Sequence, residues 1–230
     1  TTTPVTNTGP VAVAVSPDGF PTIAMAVNNV GLRIARCASQ ACSGTLTFST
    51  VDDFGRIDVR PSLSIPIDGL PVAVYVARGP TLLDPGQYVR VAKCRNAQCT
   101  EGATINAIAQ AYGISVGIAV GSDGFPLIAY QGTSSGPSLG LIVARCGSAT
   151  CAVDTTYTII DSKPQAGASC GIVIDPGGRP VASYFDSANL DLFVARCDNA
   201  TCQGAAPTRA LGQSGEPLAF ITAFENAQVA

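Results

Sequence analysis

Nine cysteines and no histidine set the chemistry open to this chain. Eight of the cysteines fall into pairs with the same spacing: Cys37 and Cys42, Cys94 and Cys99, Cys146 and Cys151, Cys197 and Cys202. Each pair brackets a tight polar connection, such as "ASQA" (38–41) or "DNAT" (198–201). Two residues flanking a hairpin of that length can bring their Cβ atoms to disulfide distance. Closing so short a loop stabilises by about 2 kcal/mol in the chain-entropy account. The competing chemistry is metal binding. A pair supplies only two thiolates, no histidine is present to complete a site, and the pairs sit in separate parts of the chain. The spacing therefore predicts disulfides, no metal and no cofactor. An oxidising compartment follows: the periplasm, the cell surface or the secreted state. The ninth cysteine, Cys170 in "GASCGIVI" (167–174), lies in an apolar run and reads as an inert core thiol, reduced and buried.

The absence of histidine removes Ser-His-Asp and Cys-His activation of a nucleophile. Asp52 and Asp53 are adjacent on a strand-like segment, so they point to opposite faces and cannot act as a paired acid and base. Asp18, Asp68, Asp123 and Asp175 occupy turns, where local backbone bonding explains them. No nucleophile–base constellation emerges, so no catalysis is expected. Asn199-Ala200-Thr201 is a sequon, which makes Asn199 a candidate glycosylation site on a hairpin loop. No residue can be assigned to a ligand.

The elements that carry the cysteines recur. "IARCASQAC" (34–42), "VAKCRNAQC" (91–99), "VARCGSATC" (143–151) and "VARCDNATC" (194–202) are near copies. So are "SPDGFPTIAM" (16–25), "PIDGLPVAVY" (66–75), "GSDGFPLIAY" (121–130) and "DPGGRPVASY" (175–184). The prolines Pro21, Pro71, Pro126 and Pro180 fall 50, 55 and 54 residues apart. Within one repeat the local signals are all β. An apolar run (10–17) meets the turn dipeptide Asp18-Gly19, and a second strand starts at Pro21, where a missing N–H is tolerated. "LRIARC" (32–37) and the Thr-rich "TLTFSTV" (45–51) follow as third and fourth strands. "GATINAIAQAYG" (102–113) comes nearest to a helical period but occupies a fourth-strand position.

On the third strand Leu32, Ile34 and Arg36 point one way and Arg33, Ala35 and Cys37 the other. Both faces are largely apolar, as a sheet packed between two neighbours requires. Arg36, Lys93, Arg145 and Arg196 recur at one position and read as structural cations that pair locally. Tyr75, Tyr130 and Tyr184 recur within second strands, which implies core packing. Four short antiparallel strands per unit, repeated at this period, is the pattern of β-propeller blades. The expected fold is all-β: a single repeat domain over 1–230, with four full four-stranded blades phased near 10–58, 60–112, 114–166 and 168–215. A partial blade is expected from the two termini. Residues 1–8 resemble a last strand, and residues 217–230 a first strand and the opening of a second.

The motif Asp-Gly-x-Pro-x-Ile-Ala-Tyr, followed by Val-Ala-Arg-Cys and a second Cys five residues on, resembles repeats of large secreted bacterial proteins of the β-propeller type. The resemblance spans about residues 10–210 and implies the fold and an extracellular setting, but no activity. The sialidase-type Asp box is similar only in its turn, and without tryptophan that match fails.

Composition narrows the function classes. The chain of 230 residues is 47% hydrophobic and 13% charged, about half the usual charged fraction. With a formal charge of −3 and a pI near 4.8 it offers no basic stripe, so nucleic acid is not an expected partner. Its apolar runs, such as "PLAFITAF" (217–224), are too short to span a bilayer. No charged segment followed by an apolar one opens the sequence, and a start at Thr1 implies a processed or trimmed N-terminus. Low charge, staples and unmatched terminal strands favour a non-catalytic, self-assembling surface protein that forms filaments by strand complementation, with itself as partner. The alternative is a secreted ligand-binding propeller, lectin-like or protein-binding. Its variable loops between second and third strands (27–31, 77–87, 132–138) would meet a surface glycan or protein.

Overall fold

A computed structural model describes residues 8–27, 30–44, 46–53, 57, 60–78, 86–111, 115–132, 140–203 and 208–210. Every regular element among them is a strand. Blade 1 comprises β1 (Thr8–Val15), β2 (Pro21–Val27), β3 (Gly31–Arg36) and β4 (Ser49–Asp52). Blade 2 comprises β5 (Ser62–Ser64), β6 (Val72–Arg78), β7 (Gln87–Cys94) and β8 (Ala103–Gln110). Blade 3 is β9 (Val116–Val120), β10 (Pro126–Gln131), β11 (Leu141–Arg145) and β12 (Thr156–Asp161). Blade 4 is β13 (Ala166–Ile174), β14 (Pro180–Asp186), β15 (Asp191–Arg196) and β16 (Thr208–Ala210). Each blade is a four-stranded antiparallel meander in chain order, and the four make a β-propeller. The segment with the nearly helical period is strand β8, because its neighbours β7 and the blade edge demand an extended partner.

Two-sided burial follows from the apolar alternation. Leu32 and Ile34 on one face of β3, and Ala35 and Cys37 on the other, are each 3% exposed or less. The even face of blade 1 packs on blade 2 through Leu32, Ile34, Leu63 and Tyr75. Blade 2 meets blade 3 through Val74, Val91, Ile118 and Ile128, and blade 3 meets blade 4 through Leu127, Leu141, Ile172 and Tyr184. Alanines at the register positions Ala129, Ala144, Ala182 and Ala195 let neighbouring sheets close up.

The innermost strands β1, β5, β9 and β13 line the axis and pack in succession. Here small side chains are compulsory: a Cβ on Gly117 of β9 would stand 3.0 Å from the Cα of Gly171 on β13. Among the described residues no strand of blade 4 packs on blade 1 in the way the other neighbours do. The face of β1 turned away from blade 2 accordingly leaves Val11 and Val13 51% and 54% exposed. Of the terminal strands expected to complete a partial blade, Thr8 belongs to β1, while 1–7 and 217–230 lie outside the described residues. No helix among the described residues is long and apolar enough to cross a membrane.

Candidate functional site

The four cysteine pairs close as disulfides with Cα–Cα distances of 4.9, 5.0, 4.8 and 4.9 Å in chain order. In each, the second cysteine has a left-handed backbone, with φ of 52° at Cys42, 56° at Cys99, 55° at Cys151 and 57° at Cys202. Its N–H donates to the carbonyl three residues back, which makes the hairpin tight enough for the bridge. A polar side chain two residues after the first cysteine caps the turn: Ser39, Asn96, Ser148 and Asn199 accept from the backbone N–H four residues on. The amide of Asn199 is therefore engaged: Oδ1 accepts from Thr201 and Gln203, and Nδ2 donates to the Gln203 carbonyl. Four disulfides place the chain outside the reducing cytoplasm.

The turn aspartates have two jobs, of which sequence reasoning found one. One carboxylate oxygen accepts a local backbone N–H, from Phe20 at Asp18, Leu70 at Asp68, Phe125 at Asp123 and Arg179 at Asp175. The other takes the recurring third-strand cation of the same blade: Arg36, Lys93 (2.6 Å), Arg145 and Arg196 respectively. The sequence signal was available, since aspartate and cation recur together in every repeat.

A second set of carboxylates sits where the fourth strand of one blade meets the second strand of the next. The Tyr75 hydroxyl donates to Asp52, whose Oδ2 is also 3.0 Å from Arg90 Nε. The Tyr184 hydroxyl donates to Asp161 at 2.8 Å. Lys163 Nζ stands 3.8 Å from Asp161 and 3.9 Å from Asp186, and lies 4.8 Å from the Phe193 ring centroid. Asp186 is fully buried, held by the Ala188 N–H and the Asn189 amide. Burial and the adjacent Asp52 charge push the Tyr75 hydroxyl far above its ordinary pKa, so it remains a donor. These tyrosines are core residues, and they also latch blade to blade through carboxylates distant in sequence.

Around the axis lies a cavity of about 470 Å³, walled by the innermost strands of all four blades and by β14 and β15 of blade 4. Its lining includes Ser62, Ser115, Ser169, Ser183 and Tyr184, with Arg60 at the approach to β5. Two serines stitch blades together: Ser62 Oγ accepts from the Ile118 N–H at 3.3 Å, and Ser115 Oγ bonds both N–H and C=O of Cys170 at 3.1 Å. Ser183 is 9% exposed, and its hydroxyl makes no hydrogen bond among the described residues. Cys170 was expected in the core. It is half-buried, on this wall and packed against the core between blades 3 and 4. Its Sγ points at the Ala129 and Ser115 carbonyls, and burial pushes the thiol up to about 12, which leaves it neutral and unreactive. The described lining residues include no carboxylate; Asp161 reaches the wall through Tyr184. Of the variable loops between second and third strands (27–31, 77–87 and 132–138), residues 28–29, 79–85 and 133–138 lie outside the described residues.

No protein-family model and no curated protein matches the sequence. Solved structures do. A protein of unknown function from Dyadobacter fermentans superposes with a TM-score of 0.65 at 13% identity, over 92% of this chain and 71% of that one. An α-L-arabinanase of Penicillium chrysogenum, solved with arabinobiose, gives a TM-score of 0.63 at 11% identity over 92% and 68%. A GH43_1 enzyme from Xanthomonas citri gives 0.56 at 15% identity over 89% and 74%. At such identities the likeness shows the fold.

The expectation of a non-catalytic, self-assembling structural protein is overturned by these neighbours, which include glycoside hydrolases and a xylosidase. The sequence reasoning failed at a definite point. It sought a histidine-driven nucleophile or carboxylates adjacent in sequence, whereas glycoside cleavage needs only two carboxyl groups that the fold brings together. Asp161 and Asp186, far apart in sequence yet both beside Lys163, show that this fold does gather carboxylates. Low charge and staples, taken for signs of a filament, equally suit a packed propeller.

Proposed function

We propose that this is a secreted carbohydrate-active protein that holds a short saccharide in its axial cavity and cleaves a glycosidic bond there. The observation that carries the reading is the cavity. Its volume of about 470 Å³ lies within the range of small-ligand sites and accommodates a disaccharide. Serine hydroxyls on apolar strands suit a polyol, and the fold is one that glycosidases use. Fold alone names no activity, so the chemistry must come from named groups. Asp161 is the carboxylate hydrogen-bonded to a wall residue, with Lys163 Nζ 3.8 Å from it.

Arabinose- and xylose-containing oligosaccharides, the sugars of the neighbouring enzymes, are the first substrates to offer. Reducing-end release should be detectable, and Asp161→Asn, which alters the carboxylate held by the Tyr184 hydroxyl behind the wall, should lower it. Saccharide affinity, measured by titration calorimetry, should survive that substitution. Absence of turnover with every such oligosaccharide, or an unchanged rate in Asp161→Asn, would overturn the assignment.

A further inference from the structure

We infer that Ser183 is a specificity-determining residue of the axial cavity, its hydroxyl taking one neutral ring hydroxyl of the bound saccharide. The inference rests on the cavity reading above and names the group that reads the sugar. Ser183 breaks the pattern of its own repeat position. Three residues after the proline that opens each second strand stand Ala24, Val74, Ala129 and Ser183. The first three are fully buried in the cores between blades 1 and 2, 2 and 3, and 3 and 4 respectively. Ala182 and Tyr184 face blade 3, so Ser183 between them faces away from it, onto the cavity wall.

The space before that hydroxyl is kept open by a glycine. Ser183 pairs in register with Gly171, and a Cβ on Gly171 would stand 3.6 Å from Ser183 Oγ. Chain neighbours aside, that Cβ would meet nothing else within 4 Å among the described residues. Gly117 holds the equivalent place in blade 3, opposite Ala129, and there the space is filled: a Cβ would lie 3.0 Å from Gly171 Cα and 3.0 Å from Ile172 N. A slot closed at blade 3 by the next inner strand is thus open beside Ser183. Ser183 is nine-tenths buried, and its hydroxyl makes no hydrogen bond among the described residues. A buried hydroxyl costs free energy until it is paired. The other lining hydroxyls are provided for: Ser62 and Ser115 bond between blades, Tyr184 donates to Asp161, and half-buried Ser169 can be hydrated. Val173, Val181 and Leu192 form the wall on this side, an apolar setting that penalises a charged group far more than a neutral hydroxyl. A sugar hydroxyl, donor and acceptor at once, matches the serine.

Titration calorimetry with arabinobiose, xylobiose and the monodeoxy analogues of whichever binds more tightly tests the assignment. Ser183→Ala should weaken binding about tenfold, the worth of one neutral hydrogen bond, with the melting temperature unchanged. One monodeoxy analogue should bind the native protein about tenfold more weakly than the parent sugar, and should bind Ser183→Ala no worse than the native protein. Gly171→Ala places a methyl in the slot with neither a close backbone contact nor a left-handed φ to resist it. It should weaken binding of the parent sugar and leave the melting temperature unchanged. Parent affinity unchanged in Ser183→Ala, or a loss by the same factor for parent and every analogue, overturns the inference and leaves the cavity reading intact. Binding of neither disaccharide removes the cavity reading and this inference with it.

Discussion

Gly31 shows how a single residue sets the geometry between two strands. Its φ is +104°, and a Cβ there would stand 1.9 Å from the carbonyl oxygen of Asp52. Gly140 repeats the arrangement in blade 3, with φ +76° and the Asp161 carbonyl oxygen at 1.9 Å. In both blades the close approach delivers the aspartate that the next blade's tyrosine binds. Blade 4 achieves the same turn with Leu190, a non-glycine residue at φ 59° whose side chain is mostly exposed. Gly31→Ala combines a left-handed backbone with a clash against backbone that cannot retreat without moving β4. The expected loss is about 3 kcal/mol, a fall of roughly 10 °C in melting temperature for a chain of this size. An unchanged melt would mean that β4 can shift freely and that the latch it carries is not rigid.

Within a blade, the turn between first and second strands is tied to the third strand by the aspartate–cation pair. The titration of these aspartates gives the tie a pH signature. Asp175 is held at about 2, first by the Arg179 N–H and then by the Arg196 guanidinium. Asp18 is lowered by its bonds to Ser16 and Arg36. At Asp68 burial pushes upward, but Lys93 and the Leu70 N–H outweigh it. A carboxylate whose folded pKa lies below its unfolded value adds stability above the unfolded pKa and loses it as pH falls toward the folded one. The melting temperature should therefore hold from pH 7 to about 5 and fall between roughly pH 4 and pH 2. Asp175→Asn should flatten the lower part of that fall. A melting temperature constant down to pH 2 would show that the pairs are not maintained in solution.

At the scale of the molecule, interblade packing and the staples answer different threats. Three apolar interfaces join blades 1 to 4, each drawing on strands from two sheets. The disulfides close only five-residue separations, so each constrains its own hairpin and none links blades. Reduction should cost about 2 kcal/mol per bridge while leaving the interblade cores in place. Reduction should raise the intact mass by eight hydrogens, two for each of the four bridges. In native protein without reductant, alkylation of Cys170 should be slow at neutral pH, since its thiol is held up near 12 and aimed at two carbonyls. Denaturation without reductant should expose one thiol, and with reductant nine. Ready alkylation of all nine without reductant would contradict the bridges.

The repeat, the strand order within each blade and the two-faced burial of β3 were legible in the sequence, because they depend on local alternation and on turn residues such as Asp18-Gly19. Local physics is written where the residues are adjacent. The Cys37–Cys42 separation likewise carries its own geometry, since five residues in a tight turn leave the sulfurs few other places to go. What joins residues across blades was not legible. That Tyr75 binds Asp52, that Lys163 stands between Asp161 and Asp186, and that Cys170 lies where the axial wall meets the packing of blade 3 all depend on how sheets fan around a centre. The cavity belongs to the same class. Arg60, Ser115 and Ser183 carry no shared motif, and only closure of the inner strands around one axis makes them walls of one space. Alternation of apolar residues decides which side of a strand is buried, whereas the choice of neighbour, and with it the chemistry of the site, is made by the packing of whole sheets.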